Sequence, residues 1–464
     1  MAQVFRPMSA QPSSGDPLSE PLSARPLSAP LRPSACPGLL RIVPALDGGI
    51  CRIKLAGGVI SAAQARAVAQ AAERYASGVI EATNRGNLQI RGIGADHQGL
   101  IATLLDAGLG PSNPVSDDVR NLMLSPTAGV DPQQLLDARP LARQILDSLE
   151  NHPGFHDLSP KFALSLDGGE GLVMLEHPHD LWLSAMQVEG QTLLAFGLAG
   201  CPAHDSPLGA VPLDRAHELV IAVLERFLAV ARPEQTRMRH LLADMTTDAF
   251  LQGLPERVKD SLLADQKITT WHRQPIEADG HIGLYPQAEN GWVSVGAAVP
   301  LGRLTPSMLS HAAHVAELHG DGTLTMTPWQ GLMLRNVALA DADQALGGLQ
   351  EAGFIVNADQ PLAQIIACTG SAACVKGLAD TKADALTLAA LLQSGPSVHL
   401  SGCGRSCAAA HVAPVTLLAV SDGRYDLYFR HADQPGFGEL RGRDLTIEAV
   451  GARLNANSRS NTND

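Results

Sequence analysis

The sequence predicts an α+β protein: a duplicated chain in which two ferredoxin-like half-units pair into one domain beside two α/β domains. Three observations lead there. A stretch of 33 residues, Ser61 to Ile93, recurs without a gap at Thr305 to Val337. Each copy, with its flanks, reads as β-α-β-β-α. Each is followed by a longer α/β segment, and the second of these holds four of the seven cysteines.

The elements follow in order. Residues 1–35 repeat Pro-Leu-Ser at Pro17, Pro21 and Pro26 and have the composition of a disordered tail. The first half-unit, 36–116, carries the strand Cys51–Leu55. A Ser61 cap then opens an Ala-rich helix, two short strands flank the turn Asn84–Asn87, and a helix spans about His97–Ala107. The second half-unit, 266–361, repeats this with the strand Val293–Val299, a Thr305 cap, the turn Pro328–Gly331 and a helix over about Ala340–Ala352. Gly78 matches Gly322, Thr83 matches Thr327, Leu88 matches Leu332 and Arg91 matches Arg335, all 244 residues apart. One register held over that length reads as duplication. The segment 117–265 is α/β, and a helix around Leu213–Leu242 leads toward the second half. The segment 362–456 carries the clustered cysteines, and 457–464 reads as a second loose tail.

Composition narrows the function. The chain has 464 residues, 45% of them hydrophobic, enough for several cores. Its net charge of −13 argues against a nucleic-acid binder, whose phosphate contacts need a basic surface. No stretch approaches the ~18 apolar residues of a membrane span. The N-terminus has no apolar core before a small-residue cleavage site, so a cytoplasmic location is expected, where thiols stay reduced.

The cysteines therefore need another use. Cys368 and Cys374 form C-x5-C, and Cys403 and Cys407 form C-x3-C, with 28 residues between the pairs. Thiolates are soft ligands, and four of them suit zinc or an iron–sulfur cluster. Structural zinc favours tighter spacings such as C-x2-C. Small neighbours such as Gly370, Ala372, Ala373, Gly404 and Ser406 let backbone amides approach cluster sulfurs, so the pattern favours [4Fe–4S]. Cys51 and Cys201 read as small core residues. The role of Cys36 is left open.

The pattern C-x5-C…C-x3-C, closing a chain with two ferredoxin-like half-units, resembles the sulfite and nitrite reductase family from Cys36 to about Gly451. The resemblance implies a haemoprotein-like architecture of that family and a cluster beside a second iron centre. In the family that centre is a sirohaem, and the last cysteine, here Cys407, bridges to its iron. It also implies cations over the tetrapyrrole. Thr83-Asn84-Arg85-Gly86-Asn87-Leu88-Gln89 matches a T-x-R-x-x-x-Q pattern and nominates Arg85. The pair Arg120-Asn121 nominates Arg120. A K-x-K pair is met as Lys161-Phe162-Ala163, which keeps Lys161 and loses the second lysine. That departure, with Ala35–Leu40, Pro160–Gly169 and Thr327–Gly331, resembles one branch of the family, the precorrin-3B synthases. The branch implies an O2-dependent monooxygenase of cobalamin biosynthesis acting on precorrin-3A. It also implies either a sirohaem or a mononuclear non-haem iron as the second centre. Sirohaem-dependent sulfite or nitrite reduction is the competing expectation, and a non-catalytic iron–sulfur or zinc protein a third.

Other residues admit plainer readings. His177-Pro178-His179-Asp180 reads as a turn leading into the strand Leu181–Met186 rather than as a metal site. Trp329 and His411 fit either a cofactor contact or packing. No G-x-G-x-x-G links a strand to a helix, so the electron donor is expected to be external, an NADH-linked reductase or a ferredoxin.

Overall fold

The structure, a computed structural model, describes residues 36–274, 279–393, 397–409, 413–431 and 436–461. The N-terminal tail 1–35 and His411 lie outside the described residues.

The repeat is built on matched capping chemistry. The Ser61 side chain accepts a hydrogen bond from the Gln64 amide, and the Gln64 side chain returns one from the Ser61 amide, opening the helix Ala62–Tyr75. Thr305 accepts from the Met308 amide to open Pro306–His319. The buried faces of both helices are rich in alanine, including Ala65, Ala69 and Ala72 in one and Ala312, Ala313 and Ala316 in the other. Small side chains let the helices approach closely, and both belong to a single hydrophobic core shared by the two half-units.

The sheets exchange strands. The first orders Val43–Ala45, Gly48–Ile53, Leu88–Ile93, Val79–Ala82 and Arg303–Leu304. The second orders Gly283–Pro286, Trp292–Ala298, Gly331–Ala338, Thr323–Met326 and Val59–Ser61. Each half-unit thus lends its partner an antiparallel edge strand, pairing Leu304 with Ile80 and Ile60 with Leu324. The turn before each lent strand has the same handed backbone. Gly57 and Gly58 have φ of 61° and 77°, and their counterparts Leu301 and Gly302 have 50° and 70°. A leucine in that region is strained, so the exchange geometry overrides local preference there. The pairing of the half-units into one domain is as expected.

The duplication extends further than the sequence suggested. The sheet of the first α/β domain runs Leu122–Leu124, Leu164–Asp167, His179–Val188, Gln191–Gly200 and Gly209–Pro212. That of the second runs Ile365–Ala367, Val398–Ser401, Val415–Ser421, Arg424–Phe429 and Glu439–Leu445. In both, the first three strands are parallel and the last two join antiparallel. The loop after each first strand is C-x5-C in the second domain and Ser125–Asp131 in the first. Where one domain has cysteines, the other has Asp131 accepting from the amides of Gly171 and Leu172 and from the Tyr285 hydroxyl.

Three expectations are corrected. The helix expected over 213–242 ends at Val230, because Pro233 disfavours helical backbone before it and lacks the donor to continue. The expected tail at 457–464 is in part helix, since Ile447–Asn461 continues past its boundary. The start of the second half-unit at 266 also moves. Ile268 packs with Trp182, and Arg273 bonds to Asp167, both on the first α/β domain, so the half-unit's own strands begin at Gly283. Among the described residues, no helix is long and apolar enough to cross a membrane.

Candidate iron–sulfur centre and anion site

Backbone geometry brings the four cysteines together. The loops 368–377 and 402–407 leave the C-terminal ends of parallel strands and pack where only glycine fits. A Cβ on Gly377 would lie 2.4 Å from the Gly370 carbonyl carbon, and one on Gly370 would lie 2.6 Å from the Thr381 amide nitrogen. The Gly402 amide donates to Cys368 Sγ at 3.1 Å. Cys368, Cys374, Cys403 and Cys407 line one cavity of about 590 Å³, and none is in a disulfide. The Cys407 thiol is pushed up by desolvation and then by the fields of Cys403, Cys368 and Cys374. Four mutually repelling thiolates need a multivalent cation between them. Among the described residues, no three such ligands are gathered tightly enough for one metal ion. Zinc would need all its sulfurs at ~2.3 Å. Four thiolates around a cavity of this size fit a cubane cluster, which spreads its ligands over four irons.

The two repeat turns clasp the C-x3-C loop. Asn84 Nδ2 donates to the carbonyls of Cys407 and Ala408 at 3.4 and 3.3 Å, and Gln330 Nε2 donates to Ala408 at 3.3 Å. Gly86 and Gln330 occupy equivalent positions and share a left-handed backbone, φ 65° and 59°. A polar cavity of about 220 Å³ between them is lined by Arg52, Asn84, Gln89, Gln330, Cys368 and Cys407, among others.

On the other side of the first turn, Arg85 and Arg120 line a narrow crevice with Asn121, Ala163 and His179. Among the described residues, the Arg85 guanidinium has no ion-pair or hydrogen-bond partner, and burial, then Arg237 and Arg52, lower its pKa to about 10. Arg120 lies 3.8 Å from Asp117 and 3.5 Å from Glu150, yet its buried Nε and Nη2 make no hydrogen bond. Arg52 donates to Gln89 at 3.0 Å and leaves its Nε without an acceptor. Buried donors left unmade are costly; those of Arg120 line the narrow crevice with Arg85, and that of Arg52 lines the polar cavity. They fit an anionic ligand rich in carboxylates.

Of the three sequence-nominated cations, the structure brings Arg85 and Arg120 together. Lys161 is exposed and is not among the residues lining that crevice. Asn121 ties its loop to the site, donating to the carbonyls of Pro160 and Phe162 at 3.1 Å each. Sequence reasoning missed Arg52, Lys54 and His179. Lys54 is buried with its ammonium on the Asp117 carbonyl at 2.6 Å, and burial lowers its pKa to about 7 despite Asp117 and Asp118. His179 is not a turn residue but the first residue of its strand, buried beside Ala163. Alternating placement of His and Asp at a strand start was the available signal. Trp329 stacks on His281 at 4.6 Å. Arg91 pairs with Asp47 at 3.0 Å.

Two buried imidazoles give a pH signature. Burial, then the Arg85 field, lowers His179 to about 3, and burial lowers His281 to about 4. The unfolded chain takes up those protons near pH 6.5 and the folded one does not, so stability falls as pH drops below about 6.5. At pH 5 each contributes a loss of about 2 kcal/mol. The thermal midpoint should fall between pH 7 and pH 5, and His281→Phe should flatten that slope; an unchanged slope would refute the assignment.

Comparison with known proteins agrees with this geometry. The nitrite/sulfite reductase ferredoxin-like half domain matches twice, at residues 44–107 and 285–352. The nitrite and sulphite reductase 4Fe-4S domain matches residues 115–262. That is the domain without clustered cysteines, the topological twin of the one that holds them. The chloroplastic ferredoxin–nitrite reductase of Zea mays is 29% identical over 402 residues, 80% of this chain and 70% of that one. The ferredoxin–nitrite reductase of Leptolyngbya laminosa is 28% identical over 87% of this chain and 86% of its own. A precorrin-3B synthase of Sinorhizobium sp. is 24% identical over 85% and 82%. Against some plant enzymes the chain spans slightly under two thirds of their length, 65% for Spinacia oleracea. The Mycobacterium tuberculosis NirA structure superposes with a TM-score of 0.72 over 89% of this chain and 80% of its own, at 22% identity.

Proposed function

Because this chain belongs to the nitrite and sulfite reductase family, an oxidoreductase family, we propose that it is a precorrin-3B synthase. The reaction is the O2-dependent hydroxylation of precorrin-3A with formation of a γ-lactone. The observation that carries the proposal is Ala163. It is buried in the anion crevice where the reductase pattern has a second lysine, and its neighbour there is the neutral His179. Reduction of nitrite or sulfite needs many protons delivered to a small anion. A site that keeps Arg85 and Arg120 and has an alanine in place of the second lysine suits a ligand carrying several carboxylates better.

Cys368, Cys374, Cys403 and Cys407 would hold the [4Fe–4S] cluster, which supplies one-electron relay when bound. A second iron centre, a sirohaem or a mononuclear iron, would stand beside Cys407. Arg85, Arg120 and Arg52 bind substrate carboxylates, and their fixed positions place the reacting carbon. Asn121 orients the loop that carries Lys161 and Ala163. The Nδ1 of His179 faces the His177 carbonyl at 2.7 Å, so Nδ1 carries the proton and Nε2 is left as an acceptor toward the crevice. One oxygen atom enters the product and the other leaves as water, with two electrons and two protons from an external donor.

Nitrite reduction is the second reading, favoured by the higher identity to ferredoxin–nitrite reductases. Chain length does not separate the two, since this chain aligns over similar shares of a cyanobacterial reductase and of the synthase. Anaerobically reconstituted protein should convert precorrin-3A only when O2 is admitted, and should leave nitrite and sulfite untouched. Turnover of either anion without conversion of precorrin-3A would overturn the proposal.

A further inference from the structure

On the wall of the polar cavity, beside Cys368, lies a buried knot of charge contributed by three parts of the chain. Glu81 comes from the first half-unit, and its carboxylate is 3.7 Å from Arg91, 3.4 Å from Arg303 and 3.9 Å from Lys382. Arg91 belongs to the first half-unit, Arg303 is on the strand lent by the second, and Lys382 opens the helix that follows the C-x5-C loop. Thr369, next to Cys368, also reaches Glu81 at 3.5 Å. The Lys382 ammonium donates to the carbonyls of Leu301 and Ala367, the latter being the residue before Cys368. Glu81, Arg91 and Lys382 are 7%, 5% and 7% exposed.

Burying this much charge is costly, and a hydrophobic plug would hold the three parts together at least as well. The knot is also unbalanced. With Asp47 on Arg91, it sets two carboxylates against three cations, and the partly satisfied Arg52 adds a fourth on the same cavity. Four thiolates around a cubane leave a net negative charge that grows by one on reduction. A fixed positive excess at low dielectric stabilises the reduced state more than the oxidised one.

We infer that the Glu81–Arg91–Arg303–Lys382 knot sets the reduction potential of the cluster, with Lys382 and Glu81 as opposing positioning charges. The inference rests on the cluster assignment and not on the macrocycle chemistry. EPR-monitored redox titration of the reconstituted holoprotein at pH 7 tests it. Lys382→Met should lower the midpoint so that the reduced-to-oxidised ratio at fixed poise falls about tenfold, some 59 mV for one electron. Glu81→Gln should move it in the opposite direction by a similar ratio. Lys382→Arg should stay near the wild type. Midpoints that do not move, or that move the same way in both neutral variants, would overturn the inference. Wild-type protein with no iron and sulfide would overturn it together with the cluster itself.

Discussion

Cys407→Ser protein, purified without air, will lose the cluster's absorbance and much of its iron and sulfide. It will turn over more than about 100-fold slower, since even a neighbour of a metal ligand typically costs 10–100-fold. A serine hydroxyl is a hard, reluctantly ionised ligand, while the site is built for a soft thiolate. The fold should survive, because Cys407 is exposed and the loop around it is held by carbonyls accepting from Asn84 and Gln330, which the substitution leaves in place. Far-ultraviolet circular dichroism and iron counting separate the two effects. A Cys407→Ser protein with a full, stable cluster and wild-type turnover would remove Cys407 from the ligand set.

Arg85→Met will behave in an unusual way for a half-buried substitution. The guanidinium has no partner to lose, and its burial already lowers its pKa. Removing it therefore relieves an uncompensated desolvation cost, and the thermal midpoint should stay level or rise. Activity should move the other way. A charge-assisted pair with a substrate carboxylate contributes up to about 3 kcal/mol, so kcat/KM should fall by roughly 100-fold. Arg91→Met is the control, because Arg91 pairs with Asp47 and Glu81 and its loss strands Asp47 and takes one of three cations from Glu81. It should unfold at lower temperature. If Arg85→Met destabilised the protein and left kcat/KM intact, Arg85 would be a structural residue.

Much of the fold was legible because its signals are local. Ser61 and Thr305 announce their helices within one turn, and the 244-residue register is visible from identities alone. The second duplication was hidden because its halves kept only topology. Cys368 and Cys374 in one loop correspond to Ser125 and Asp131 in the other, and identity alone does not recover that. At the site, the four cysteines and Arg85 were readable because each sits in a short motif. Arg52 and Lys54 were not, since an Arg or Lys in or beside a strand usually points to water and only tertiary packing half-buries the first and buries the second. The same packing made His179 a crevice residue where the dipeptide His177-Pro178 suggested a turn.

The lent strands have a consequence for how the protein is made. Val59–Ser61 finds its partner Thr323–Met326 only after about 260 further residues have been synthesised. At 5–20 residues per second that wait lasts roughly 15–50 s. Throughout it, the edge that will receive Arg303–Leu304 stands open on the ribosome, a site for mispairing that a chaperone would need to cover. Neither half can finish as an independent module, and such long-range pairing makes refolding slow. The scaffold around Cys407 closes only when both turns meet the last domain. Cluster delivery therefore follows the synthesis of both turns and of the loop that carries Cys407.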